Sequence, residues 1–450
     1  MSNLDRDSFS SRFGVLVAVA GSAVGLGNLW RFPYLVGNNG GAAFIIIYLL
    51  FVIVLCLPIM VSEFVIGRRG RANSFGAIEK LAPRSGWLSI GVISVVASFT
   101  IMAFYSVVGG WTIYYIFKSF SNTLFVNDSQ NLTLQFSAFI ESPYLPTLSH
   151  LLFLALSSLI VVAGVKNGIE KYSKLLMPLL FLLVVIVAIR SLTLEGSAKG
   201  VEFLFRPDFS KVTGKTLLDA LGQAFFSLSL GMGCMITYSS YVKKEENLFK
   251  ISIMGAGADT IFALIAGLAI VPAVFAFGIS PSEGPSLVFI TLPQVFAQIP
   301  FGRVISILFF IILLIAAVTS AISLIEVVTA FLTEELNWSR KKAVATIFVA
   351  LGFIGALSSL SMGALPSLTI FGKNLFDLFD FISSNILLPL GGALVVLFVG
   401  WRLNGAELYD ELSNGATIKF DRRLFRVFLF VIKYVAPLAI LIVLLANFLA

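Results

Sequence analysis

Long apolar runs alternate with short polar stretches along this chain. A helix needs about 20 predominantly apolar residues to cross a bilayer. Eleven runs suit that requirement: 13–37, 42–67, 88–120, 148–165, 174–192, 216–240, 251–277, 301–333, 342–361, 374–400 and 427–449. Several are longer than the bilayer requires and are expected to tilt or protrude. Pro58 is expected to bend the second run and Pro272 the seventh. The pattern predicts an all-α polytopic membrane protein. Two runs are interrupted alike. Gly21-Ser22-Ala23-Val24-Gly25-Leu26-Gly27-Asn28 lies in the first, and Phe226-Ser227-Leu228-Ser229-Leu230-Gly231-Met232-Gly233 in the sixth. Each Gly costs about 1 kcal/mol relative to Ala inside a helix. Hydrocarbon offers no water to a freed carbonyl, so a broken helix survives there only where it lines a cavity. Matched breaks in two halves of a membrane protein predict a midplane binding site between them.

Composition supports the membrane reading. The 450 residues are 58% hydrophobic and 12% charged, against roughly 25% charged in soluble domains. The net charge of +7 does not point to nucleic acid, because the basic residues sit in short loops between runs. Arg68, Arg69, Arg71, Lys80 and Arg84 follow the second run, and Lys166, Lys171 and Lys174 the fourth. Lys243, Lys244 and Lys250 follow the sixth, Arg340, Lys341 and Lys342 the eighth, and Arg402, Lys419, Arg422, Arg423 and Arg426 the tenth. Positive loops stay inside. The expectation is a multi-pass protein of the cell membrane with a cytoplasmic N-terminus and, after eleven crossings, a C-terminus outside. The loop after the fifth run is basic but long, and long loops count for less. Cys56 and Cys234 lie in apolar runs and suggest no disulfide framework. No soluble domain is expected. Residues 1–450 read as one transmembrane domain, with repeat one at about 10–192, an inverted repeat two at about 216–400, and an extra helix at about 427–449.

The motif Asn28-Leu29-Trp30-Arg31-Phe32-Pro33, followed by Gly40-Gly41-Ala42-Ala43-Phe44, carries a family likeness. It continues through Gln223 to Gly231, Ile236-Thr237-Tyr238-Ser239-Ser240-Tyr241, Val318-Thr319-Ser320 and Ala330-Phe331-Leu332-Thr333-Glu334-Glu335-Leu336. The chain resembles the neurotransmitter:sodium symporter family over nearly its whole length, and most closely its bacterial hydrophobic amino-acid transporters with eleven helices. That family is itself a type example of the broken-helix inverted repeat. The resemblance implies a five-plus-five inverted repeat with helices 1 and 6 unwound at the midplane. It also implies import of an amino acid with two sodium ions by alternating access.

Residue by residue, the resemblance implies one sodium site from the carbonyl of Ala23 with Asn28, Ser227, Asp259 and the substrate carboxylate. It implies a second from the carbonyls of Gly21, Val24 and Ala316 with the hydroxyls of Thr319 and Ser320. The plainer reading of a Ser or Thr here is a bond to its own preceding turn. Asp259 stands inside the seventh run, where a carboxylate is costly and functional by default. Animal members usually hold Asn there, with a bound chloride nearby. Tyr48, Gln223 and Ser227 match three ligand positions of that chloride, but the fourth matches Ala263, so Asp259 reads as a fixed replacement and transport as chloride-independent. Without sodium the buried carboxylate lacks a counter-charge, which makes proton antiport on the return step a further expectation.

The substrate pocket implied by the resemblance comprises Ser22, Ala23, Leu26, Gly27, Ile101, Tyr105, Phe226, Ser227, Ser229, Met232, Ser320, Ser323 and Leu324. Monoamine members carry Asp where this chain has Gly25, so an α-amino acid is expected. Ile101, Met232 and Leu324 make the far wall apolar, which suggests aliphatic and also aromatic side chains. Met232 as ordinary core filling is the plainer alternative. Arg31 and Asp380 match an outer ion pair, and Arg6 and Glu334 an inner one, with Tyr241 helping to hold a plug at Phe9. Sodium ions, a small-molecule amino acid and membrane lipid are the expected partners, with no organic cofactor and no nucleic acid. An amino-acid sensor that keeps the site without transporting is the alternative. A membrane enzyme finds no support, because His150 is the one histidine and no metal motif appears.

Overall fold

The computed structural model describes residues 8–121, 123–124, 129–278 and 287–449. Among these, nine helices are long and apolar enough to cross a membrane. They are Ala42–Gly70, Gly86–Phe120, Leu145–Val162, Val165–Leu192, Leu248–Ala276, Gly302–Glu335, Arg340–Leu360, Leu375–Arg402 and Arg422–Ile442. A tenth crossing is the pair Arg12–Ala23 and Gly27–Asn38, bent by 50° at its break. The eleventh expected run, sixth in order, is split into Gly214–Ser227 and Cys234–Ser239. Its first part carries Lys215 and Asp219 and its second has six residues. Neither part is long and apolar enough to count as a span alone, so ten is the number these criteria support.

Both breaks fall where the sequence places them, and each has a local cause. Ser11 opens the first helix by accepting the Gly14 N–H on its hydroxyl. At Val24 the backbone turns extended (ψ 106°), and the helix resumes as a π turn at Gly27–Arg31. Pro33 then stands in the first turn of Phe32–Asn38, where its missing N–H costs nothing. In the sixth span, Thr213 and Thr216 form a capping box at the start. After Ser227 the chain reaches φ values of +52° at Ser229, +78° at Gly231 and +77° at Gly233. The two glycines make that left-handed path accessible.

Pro58 is preceded by a π turn at Val52–Cys56, so the second span absorbs its proline through a widened turn. Pro272 lies inside the continuous helix Leu248–Ala276. Gly302–Glu335 is buried along most of its length and forms the central wall against which both breaks pack. Short helices cover the ends, among them Ser129–Glu141, Ala198–Phe205 and Gly405–Ser413. Among the described residues the one sheet is a short hairpin, Thr369–Ile370 against Lys373–Asn374.

Candidate functional site

The two breaks face each other across one pocket. Ser22, Ala23, Leu26 and Gly27 enter it from the first span, and Ile101 and Tyr105 from Gly86–Phe120. Phe226, Ser227, Ser229 and Met232 come from the sixth span, and Ser320 and Leu324 from Gly302–Glu335. Twelve of the thirteen expected substrate residues thus share one cavity. Ser323 stands behind the wall instead. Its hydroxyl accepts from Ser22 Oγ (2.9 Å) and donates to the Ser320 carbonyl (2.7 Å). Gly25, expected as a determinant, also lines the pocket. A Cβ there would lie 2.5 Å from Ser320 Oγ and 3.1 Å from Tyr105 Oη, so the position has no room for a side chain without displacing its neighbours.

The pocket's free volume is about 20 Å³, enough for a water but not for an amino-acid side chain. Its walls must part to take one. Above it, at the Arg31 end of the bundle, opens a cavity of about 750 Å³. Leu26, Gly27, Tyr105 and Phe226 line both spaces and so form the partition between them. The Leu26 N–H donates to Tyr105 Oη at 3.3 Å. A backbone donor and a phenol hydroxyl therefore meet at the start of a half-helix, which favours an anion.

Asp259 is fully buried beside this partition. Asn28 Nδ2 donates to its Oδ1 at 2.7 Å and Tyr48 Oη to its Oδ2 at 3.2 Å. Ser227 Oγ lies 2.9 and 2.8 Å from the two carboxylate oxygens. All three partners are neutral, and no ion pair reaches Asp259 among the described residues. A buried negative charge without a cation is costly, so this cluster is chemically suited to hold one. Of the second expected ion site, Ser320 reaches the first span, while Thr319 bonds its own preceding turn, as the plainer reading has it. Ser320 Oγ stands 3.5 Å from the Gly21 carbonyl and 3.3 Å from that of Val24. Thr319 Oγ1 donates toward the Ala316 carbonyl at 3.1 Å and the Ile315 carbonyl at 3.0 Å. These are hard oxygen donors of the type that alkali and alkaline-earth cations take.

At the Arg31 end the charges differ from expectation. Arg31 and Asp380 line the same large cavity, yet they are not within 4.0 Å of each other among the described residues. Asp380 accepts from Ser384 Oγ at 3.0 Å, and the Arg31 guanidinium lies 5.3 Å from the centre of the Phe226 ring. The width of the cavity keeps the two charges apart. At the opposite end Arg6 lies outside the described residues. Glu334 accepts from the Asn73 backbone N–H at 2.8 Å and its Nδ2 at 3.2 Å. Tyr241 meets Phe9: its carbonyl accepts the Phe9 N–H at 3.2 Å, and Phe9 packs edge-on against Tyr238 and Tyr241.

Comparison with known proteins places this architecture. The sodium:neurotransmitter symporter family model matches residues 6–135 and 130–450. The chain belongs to the sodium:neurotransmitter symporter family. It is 42% identical over 435 residues to the sodium-dependent transporter YhdH of Bacillus subtilis, covering 97% of this chain and 96% of that one. A sodium-dependent transporter of Haemophilus influenzae is 39% identical over 456 residues, with 99% of each chain covered. The crystal structure of MhsT in complex with L-phenylalanine superposes with a TM-score of 0.92 at 45% identity, covering 98% of this chain and 99% of MhsT. As a member of this family the chain is a sodium-dependent, multi-pass membrane symporter and not an enzyme.

In this symporter three buried charges matter that the sequence reading passed over. Glu63 accepts the Gly231 N–H at 2.7 Å and so anchors the extended stretch of the sixth span. Glu326 is fully buried, accepts from Tyr241 Oη at 2.7 Å and pairs with Arg340. Arg340 also donates to the Val161 carbonyl at 2.7 Å. Arg68, counted above only as an orienting charge, is buried, pairs with Glu411 and donates to the Glu246 carbonyl at 2.5 Å. The signal for both acids was present, since each is an ionisable residue inside an apolar run.

Proposed function

We propose that the protein imports hydrophobic L-amino acids, coupled to two sodium ions and independent of chloride, by alternating access. The observation that carries the substrate class is the crowding at Gly25. Without space for an acidic side chain there, a substrate amine meets backbone carbonyls, and the substrate brings its own carboxylate to the Leu26 N–H and Tyr105. MhsT, so similar over its whole length, was crystallised with L-phenylalanine, and the apolar wall of Ile101, Met232 and Leu324 suits such side chains. In this reading the first sodium sits among Asn28, Ser227 and Asp259 with the Ala23 carbonyl. Asn28 Oδ1 now accepts the Gly25 N–H at 3.0 Å, so half a turn of the amide would bring that oxygen to the ion. The second sodium takes the carbonyls of Gly21, Val24 and Ala316 with Thr319 and Ser320.

The Arg31 end is read as the outside and the Tyr241 end as the cytoplasmic side, with the inverted repeats at about 10–192 and 216–400 rocking around the site. Moving two sodium ions with a zwitterion through 100 mV yields about 4.6 kcal/mol. A tenfold sodium gradient on each ion brings the total to about 7.4 kcal/mol, enough for about a 10⁵-fold substrate gradient under tight coupling. The substrate carboxylate completes the first ion site, so each ligand improves the other's binding. When sodium leaves, Asp259 is left with neutral partners alone, and a proton taken up there would return outward. The test is accumulation of labelled leucine and phenylalanine in proteoliposomes under an inward sodium gradient, with chloride replaced by gluconate. Sodium-driven accumulation is the expected result. Binding without accumulation would refute transport and leave a sensor.

A further inference from the structure

The inner pocket has two chemically different ends. Tyr105, the Leu26 N–H and the Asp259 cluster share one. At the other, the apolar Ile101, Met232 and Leu324 meet a group of serines. A hydroxyl has one proton and two acceptor sites, and here the protons are committed. Ser98 donates to the Met232 carbonyl at 2.7 Å. Ser323 donates to the Ser320 carbonyl at 2.7 Å, which leaves Ser22 to donate to Ser323 Oγ at 2.9 Å. The relay therefore runs from the pocket into the wall and stops at a carbonyl. Ser22 lines the pocket, and what it can offer a ligand is lone pairs. Cys234, packed among Ser22, Ser98 and Ser323, adds only a weak S–H donor.

We propose that Ser22 is a specificity residue that favours, among hydrophobic amino acids, those whose side chain ends in a hydrogen-bond donor, above all the indole N–H of tryptophan. The proposal rests on the amino-acid reading above and deepens it. A substrate without such a donor buries the Ser22 oxygen and gains no bond. One with it gains a neutral hydrogen bond, which sustains a preference of about fivefold.

The test compares L-tryptophan with L-3-benzothienylalanine, in which sulfur replaces the N–H within nearly the same shape. Both compete against labelled leucine on the reconstituted full-length protein with sodium present. The expected wild-type result is tryptophan binding about fivefold more tightly. In Ser22→Ala the ratio of the two constants should fall to about one, and Ser22→Thr, which keeps the hydroxyl, should retain it. The ratio cancels any loss common to both ligands. Equal binding in the wild type overturns the proposal, as does a preference that survives Ser22→Ala. The wild-type ratio decides alone if the alanine variant does not fold. Leucine binding with no tryptophan preference sinks this proposal and leaves the amino-acid reading standing. If no amino acid binds, both fall.

Discussion

Replacing Asp259 by Asn removes the one negative charge that the protein itself supplies to the proposed first ion site while nearly preserving its shape. The Asn side chain can still meet Ser227 and Tyr48, which lie 2.8 and 3.2 Å from the carboxylate, so the fold has little reason to change. The electrostatic loss is large. A sodium ion within about 4 Å of a carboxylate gains on the order of 4 kcal/mol at an effective dielectric of 20, or about 10³-fold in affinity. A proton competing for the carboxylate in the sodium-free protein takes back part of this advantage. A rise of about tenfold in half-saturating sodium, near 1.4 kcal/mol, is the smallest effect the reasoning allows. The assay is a sodium titration of leucine binding to the purified variant, with choline keeping ionic strength constant and the melting temperature reporting integrity. Half-saturation within about threefold of wild type, under 1 kcal/mol, would refute the placement of the ion. A second arm tests chloride. Wild-type uptake should be nearly unchanged in gluconate. The double variant Asp259→Asn/Ala263→Ser, which supplies the missing fourth chloride ligand, should become chloride-responsive.

Decarboxylated substrates should compete poorly: tryptamine against tryptophan, and isopentylamine against leucine, losing about 10- to 100-fold with the charge-assisted bonds to the carboxylate. Equal competition would contradict the reading of Gly25. Met232→Phe should lower the ratio of tryptophan to leucine affinity by about tenfold, because overpacking costs about 1–3 kcal/mol and falls hardest on the larger ligand; equal losses in a competition panel would place Met232 outside the selective wall. Arg340→Ala leaves the buried Glu326 carboxylate without its cation, an expected cost of about 3–5 kcal/mol. Thermal stability and sodium-driven uptake should both fall, and adding Glu326→Gln should recover part of the stability; an unchanged melting temperature would show that the pair holds nothing.

Much of this site is legible in the chain because its chemistry conflicts with its setting. Glycines and serines inside hydrocarbon-length runs mark both breaks, and a lone acid in the seventh run marks the candidate ion site. The structure assembles Asn28, Ser227 and Asp259 within hydrogen-bond reach across three spans. What the chain does not show is which oxygen faces which space. Ser323 and Ser320 are near neighbours on one helix, yet one lines the pocket and the other stands behind it. The same limit applies to Arg31 and Asp380, whose charges suit a pair while the width of a cavity keeps them apart. Such facts depend on helix rotation and on how far two bundles have parted, and residue identity constrains neither.

Three fully buried acids inside apolar runs, Glu63, Asp259 and Glu326, show how one rule gives different roles. Each is too costly to bury alone, and each is therefore placed where something in the fold needs a negative group. Glu63 meets the backbone N–H of Gly231, which the broken sixth helix cannot satisfy itself. Glu326 meets Arg340 and Tyr241, tying the central helix to the segment that holds Phe9. Asp259, like Glu63, has only neutral donors around it, but these are the side chains of Asn28, Tyr48 and Ser227, and Ser227 lines the pocket. An acid whose partner belongs to the protein stabilises one arrangement of helices. An acid whose partner must arrive from solution makes the arrangement depend on that arrival. What sets Asp259 apart is its place beside the pocket, bonded to Asn28 and to the pocket-lining Ser227; on the proposed reading its compensating charge is the ion being transported.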